Sequence, residues 1–232
     1  MNEKARWVLV AIYAMAMAWV EAAVVVYLRM LIGRIQPYQP NPLPVSVGLG
    51  EIELVREAAT CIMLISVGWL AGRTWRSRAS YAMVAFGMWD IFYYVFLPVM
   101  SGWPRSLLDW DILFLLPLPW WGPVLAPILI AVLMVGYGTL VSQFGQPEEP
   151  LWTNRLTLGI SLIGTLLALY AFMADSLRAA GNGITAIRNV LPVSFDWPVY
   201  LVAVMLMAAP LVDVSRQLVA RRSQLKIEEA SI

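Results

Sequence analysis

The sequence predicts an all-α integral membrane protein, a six-helix transmembrane bundle with both termini cytoplasmic. Three observations lead there. Of 232 residues, 60% are hydrophobic and only 13% are charged, whereas soluble domains carry about 25% charged residues. Six apolar stretches approach the ~20 residues needed to cross ~30 Å of hydrocarbon. The basic residues between those stretches fall mainly on one side. A multi-pass protein of the cell membrane follows, with residues 1–220 as one helical domain and 221–232 as a polar cytoplasmic tail that frays.

The spans are read at about 7–32, 53–72, 81–97, 123–142, 156–175 and 198–217. The first is long enough to cross with tilt. Lys4, Arg6 and the later Ala16-Met17-Ala18 imitate a signal peptide. The apolar run continues to Val26 apart from Glu21, too long for a signal segment. Lys4, Arg6, Arg73, Arg76, Arg78, Arg155, Arg216, Arg221, Arg222 and Lys226 lie on one side; Arg34, Arg105, Arg178 and Arg188 lie on the other. That asymmetry puts both termini in the cytoplasm.

The outer loops carry more local signal. Prolines at 37, 40, 42 and 44 make Gln36–Pro44 extended and largely helix-free. Ser106 followed by Asp109 resembles a capping box with Asp in place of Glu or Gln. It predicts a short helix over Leu107–Leu116, ended by Pro117 and Pro119, before the fourth span. Such a helix is too short to cross, so it is interfacial or re-entrant, with Trp103, Trp110, Trp120 and Trp121 at headgroup level. Ser161, Gly164, Thr165, Ala168 and Phe172 form a packing face on the fifth span.

Charges inside the spans are the main functional signal, because charge at membrane depth is costly and marks sites or pathways. Glu21 shares a helix face with Ala14, Ala18, Ala22 and Val25, so it points into the bundle. Helical rise puts it about 16 Å below the outer end of its helix, and Arg29 about 5 Å down. The two therefore need partners from other helices. Glu57 lies at about the depth of Arg29, and Asp90 at about 12 Å, near Glu21. The expected arrangement is an outer Arg29–Glu57 pair above a deeper Glu21–Asp90 pair, with Arg56 between and able to reach inward. Two acids at one depth are poor structural glue and can share a proton. Tyr93 and Tyr94, one turn beyond Asp90, can offer hydroxyls to the same place. Asp109, Asp111 and Asp175 are expected around the outer mouth. The ligand-binding candidates are thus Glu21, Arg29, Arg56, Glu57, Asp90, Tyr94, Asp109 and Asp111.

A structural role competes for several of these. Buried ion pairs hold bundles together without any ligand, and Arg29–Glu57 is where that explanation is strongest. Asp111, Asp175 and Asp196 also read as solvated loop or cap residues, and Asp213 with Arg216 and Gln217 as an inner-interface pair. Cys61 is the single cysteine and there is no histidine. That removes internal disulfides, cysteine metal clusters and histidine-based chemistry. Cys61, among Ile62, Met63 and Leu64, reads as an inert core thiol. The twelve methionines read as apolar filler. Neither a phosphate-binding glycine loop nor a serine-hydrolase elbow is present.

Three function classes remain. The first is a protein that binds or conducts a small polar or cationic species or protons from the outer side. The second is a non-catalytic subunit or assembly factor of a larger membrane complex. The third is a metal-assisted enzyme on a lipid or lipid-linked substrate, with Asp109 and Asp111 holding the ion and Arg105 a phosphate. The partners expected are the lipid bilayer, a small-molecule or ion ligand, and membrane protein partners or further copies of the chain; no nucleic acid is expected. No cofactor and no catalytic residue can be named from the sequence.

Overall fold

The computed structural model describes residues 2–39, 49–145, 151–183, 186–187 and 189–230. Its elements are α1 (Glu3–Leu31), α2 (Leu49–Ala71), α3 (Trp75–Ser101), β1 (Trp110–Phe114), β2 (Trp120–Pro123), α4 (Leu125–Phe144), α5 (Arg155–Ala180), α6 (Trp197–Met207) and α7 (Ala209–Ala230). Six segments are long and apolar enough to cross a membrane, with α6 and α7 together forming the sixth, Trp197–Gln224. The chain is a polytopic membrane protein of mainly helical architecture.

Side-chain caps set several helix starts. Asn2 accepts from the Ala5 N–H, and Asn154 from the Thr157 N–H. Thr74 and Ser77 form a reciprocal capping box on α3. α3 ends at Gly102, whose φ of 70° lies in the left-handed region that glycine tolerates best. The sixth span is interrupted at Ala208, two residues before Pro210. Proline has no N–H to return to the preceding turn and its ring crowds that turn's carbonyl.

α3 is the centre of the packing. It lies against α1 and α2 through Val10, Ala14, Ala18, Leu64, Val84 and Ala85. It also meets α4 at two tight crossings. A Cβ on Gly138 would sit 2.5 Å from the Ser80 carbonyl oxygen, and one on Gly87 2.6 Å from that of Ala131. Only glycine permits backbones this close. α5 and α6 pack on the other side of α4 around Ala126, Ala168, Phe172, Tyr200 and Ala203. Large apolar side chains such as Val20, Ile62, Leu70 and Leu156 face outward, as a hydrocarbon solvent requires.

The segment before α4 differs from the expected short helix. Residues 110–123 form an antiparallel hairpin, with Asp111 opposite Gly122 and Ile112 opposite Trp121. Trp, Ile and Phe at 110, 112 and 114 suit a strand, and the prolines at 117 and 119 fall in the connection. Asp109 does not open a helix. Its Oδ2 accepts from the Arg105 and Ser106 N–H groups and closes a turn.

Other boundaries also shift. α1 and α3 extend beyond the apolar runs that predict them. α7 continues to Ala230, through the polar stretch expected to fray from Arg221. Residues 36–39 are helix-free, and the rest of the proline-rich stretch, 40–44, lies outside the described residues.

Candidate functional site

The polar side chains gather where α1, α2 and α3 meet the hairpin. Asp111 is the best-covered of them, with 0% exposure on β1. Its carboxylate accepts from Arg29 Nη2 at 2.7 Å, from the Tyr94 hydroxyl at 3.1 Å and from the Ile112 N–H at 2.9 Å. Burial pushes the Asp111 carboxyl up from its ordinary range, and the Arg29 guanidinium, the Tyr94 hydroxyl and the Ile112 N–H oppose that shift. Arg29 also lies over the Trp103 ring at 4.4 Å and donates to the Ile35 carbonyl at 3.4 Å. One guanidinium thus ties the end of α1 to the hairpin and to the turn after α3.

Glu57, on α2, makes a second tie. Its two oxygens accept the Leu115 N–H at 3.1 and 3.0 Å, just past the end of β1. The expected Arg29–Glu57 pair therefore does not form. Equal depth on two helices favours that pair, but the hairpin brings a carboxylate to Arg29 and a backbone donor to Glu57. Asp111 is likewise no solvated mouth residue, because Arg29 and Tyr94 need it inside.

Across the α1–α2 interface, Arg56 forms an ion pair with Glu21. It also holds Glu53, one turn earlier, at 2.7 and 2.9 Å. Glu21 accepts in addition from the Thr60 hydroxyl at 3.2 Å. Arg56 and Thr60 are four residues apart, so both reach Glu21 from one face of α2. No hydrogen bond or ion pair joins Glu21 to Asp90 among the described residues, in place of the pair expected from their depth. Glu21 is committed to α2.

Asp90 stands apart. It is 9% exposed in the middle of α3, and among the described residues it has no hydrogen bond and no ion pair. The preceding residue, Trp89, has a buried Nε1–H that also lacks a partner. Tyr93 stacks on Trp89 at 6.2 Å and meets Tyr94 edge-on at 4.9 Å. The wall beside Asp90 is thus aromatic, with Tyr94 linking it to Asp111.

The other acids have local duties. Asp109 closes its turn, Asp175 pairs with Arg178 at 2.7 Å, and Asp196 caps α6. Asp213 accepts from Asn154 and Gln217, with no ion pair to Arg216. No group of three metal-ligating side chains occurs among the described residues. Asp109 and Asp111 accept from separate sets of donors, Asp109 from the Arg105 and Ser106 N–H groups and Asp111 from Arg29, Tyr94 and Ile112.

Five carboxylates lie in this half of the bundle: Glu21, Glu53 and Glu57 at the α1–α2 face, Asp111 on the hairpin, and Asp90 on α3 near Asp111 and Tyr200. Arg29 and Arg56 are the arginines paired with them. Even with the buried Arg34 counted, acids exceed arginines by two in formal charge. Sequence reasoning missed Thr60, Trp103 and the Leu115 N–H as members of the network. Thr60 had a signal, its spacing from Arg56; the other two depend on the hairpin and had none.

Comparisons with protein families, curated proteins and solved structures return no match for this chain.

Proposed function

We propose that this protein binds or conducts a small cationic species, a proton included, at an acid-rich site between α1, α2, α3 and the hairpin. The hairpin end faces outward from the cell and the termini lie in the cytoplasm, following the distribution of basic residues. Asp90 is the residue that takes the cation. Glu21 is the next acid inward, with Arg56 as its resident counter-charge.

One observation carries this reading. Asp90 is the buried carboxylate of the cluster that has no partner among the described residues, while Asp111, Glu57 and Glu21 each have at least one. A buried charge without compensation is expensive, so an unpaired acid at mid-span is a place for an exchangeable cation. The excess of acids over arginines favours positive ligands in the same way. Arg56 bridges Glu21 and Glu53, so a cation arriving at Glu21 leaves the guanidinium a second carboxylate to hold.

The test is flux and binding with purified protein in liposomes. Protons, alkali cations and small amines are offered in turn, with a pH dye or isotope as readout. Wild-type protein should take up one of these classes. Asp90→Asn should abolish uptake while the protein remains folded and monodisperse. Uptake unchanged in both Asp90→Asn and Glu21→Gln overturns the proposal, as does the absence of any uptake or binding by wild-type protein.

A further inference from the structure

The opposite end of the bundle carries a second cluster, built on the turn from α2 into α3. Gly72-Arg73-Thr74-Trp75-Arg76-Ser77-Arg78 puts three arginines within six residues, between two spans. None of the three is ion-paired with a carboxylate among the described residues. Two of them rest on indole rings: Arg78 lies 4.2 Å from the Trp69 centroid and Arg76 5.5 Å from that of Trp75. Arg78 Nε donates to the Gly72 carbonyl at 3.3 Å, which fixes the plane of the guanidinium. Arg76 Nε is buried and has no hydrogen-bond partner among the described residues.

The turn is rigid. A Cβ on Gly72 would sit 2.3 Å from the Arg78 nitrogen, so the turn packs directly against the start of α3. Trp75 meets Trp152 edge-on at 4.5 Å, which ties the cluster to the segment before α5. Several backbone donors here are already used. Ser77 N–H donates to Thr74 Oγ1, and the Arg73 and Thr74 N–H groups donate to Ser77 Oγ.

We infer that Arg73, Arg76 and Arg78 form a binding site for the phosphate of an anionic phospholipid headgroup, with Trp69 and Trp75 as its interfacial walls. Both indoles are 57% exposed at the ends of membrane-spanning helices, the depth at which tryptophan prefers to lie. Guanidinium groups bind phosphate through their N–H donors, and stacking on an indole face leaves the Nη groups able to donate. Anionic leaflets attract juxtamembrane arginines at this level. Arg155, Arg216 and Arg222 at the same end also lack carboxylate partners among the described residues.

The experiment is native mass spectrometry of the full chain released from detergent, with phosphatidylglycerol and phosphatidylcholine of matched acyl chains, and inorganic phosphate as a third probe. Wild-type protein should retain phosphatidylglycerol over phosphatidylcholine, and single Arg76→Gln should reduce that preference about fivefold. The triple change R73Q/R76Q/R78Q should bring the two lipids to parity. R155Q/R216Q/R222Q removes the same charge elsewhere at this end and should keep the preference. Equal loss in both triple variants means a diffuse field and overturns the site. So does a preference retained in R73Q/R76Q/R78Q, or binding of inorganic phosphate without retention of phosphatidylglycerol. Arg76→Gln leaves the caps and the Arg78–Trp69 contact in place, so it reads the site even if the triple variant misfolds.

Discussion

Asp111→Asn isolates the contact that locks the hairpin to the bundle. The wild-type carboxylate is fully covered and holds Arg29 at 2.7 Å, with side-chain exposures of 8% for Arg29 and 1% for Asp111. Removing one member of a buried pair strands the other charge and costs about 3–5 kcal/mol. Asparagine keeps an oxygen for the Ile112 N–H or the Tyr94 hydroxyl, so the loss should fall near the lower end, about 3 kcal/mol. Tyr94→Phe removes one bond to the same carboxylate and should cost about 1.5 kcal/mol. The two changes share a partner, so the double variant should cost clearly less than their sum. Asp175→Asn is the control, since its partner Arg178 is 65% exposed; it should cost less than about 1 kcal/mol. The assay is reversible unfolding in mixed micelles with increasing dodecyl sulfate, followed by tryptophan fluorescence and circular dichroism. If Asp111→Asn matches Asp175→Asn, or if the Asp111 and Tyr94 effects simply add, the reasoning about the lock is wrong.

Three further outcomes follow from the same geometry. Glu57→Ala leaves the Leu115 N–H without its acceptor and should cost about 1–3 kcal/mol, with faster amide exchange at the end of β1 than in α4. Gly138→Ala forces a methyl to 2.5 Å from the Ser80 carbonyl and should lose at least about 1–3 kcal/mol; Gly159→Ala, with nothing within 4 Å, should be neutral or slightly stabilising in the same unfolding assay. Arg56→Gln leaves Glu21 and Glu53 without their shared guanidinium and should destabilise by about 2–4 kcal/mol, with partial rescue by adding Glu21→Gln; no rescue would mean that Arg56 acts through packing alone.

The spans were legible because hydropathy and length follow directly from the thickness of hydrocarbon. Contacts between residues on two helices were partly legible as well. Arg56 reaches inward to Glu21 because helical rise and the reach of an arginine limit its choices. The same counting failed for Arg29, whose partner lies on a strand between two helices, where depth does not follow from residue number. The hairpin itself was hidden by Ser106 and Asp109, a pair that caps either a helix or a turn. Here Asp109 takes its bonds from residues before it, Arg105 and Ser106, and so closes a turn. Asp111 looked like a loop acid for the same reason. Its burial is visible only once Gly122 lies opposite it and Arg29 reaches it from α1.

The isolation of Asp90 is the centre of the functional account, and infrared difference spectroscopy of membrane-reconstituted protein reads it directly. Cation is added and removed by exchange of the bathing solution, and spectra are compared for wild type, Asp90→Asn and Glu57→Gln. The account predicts a carboxyl band that responds to the cation in wild type and in Glu57→Gln and is missing in Asp90→Asn. The same band in Asp90→Asn, or no cation-dependent carboxyl band in wild type, would contradict it.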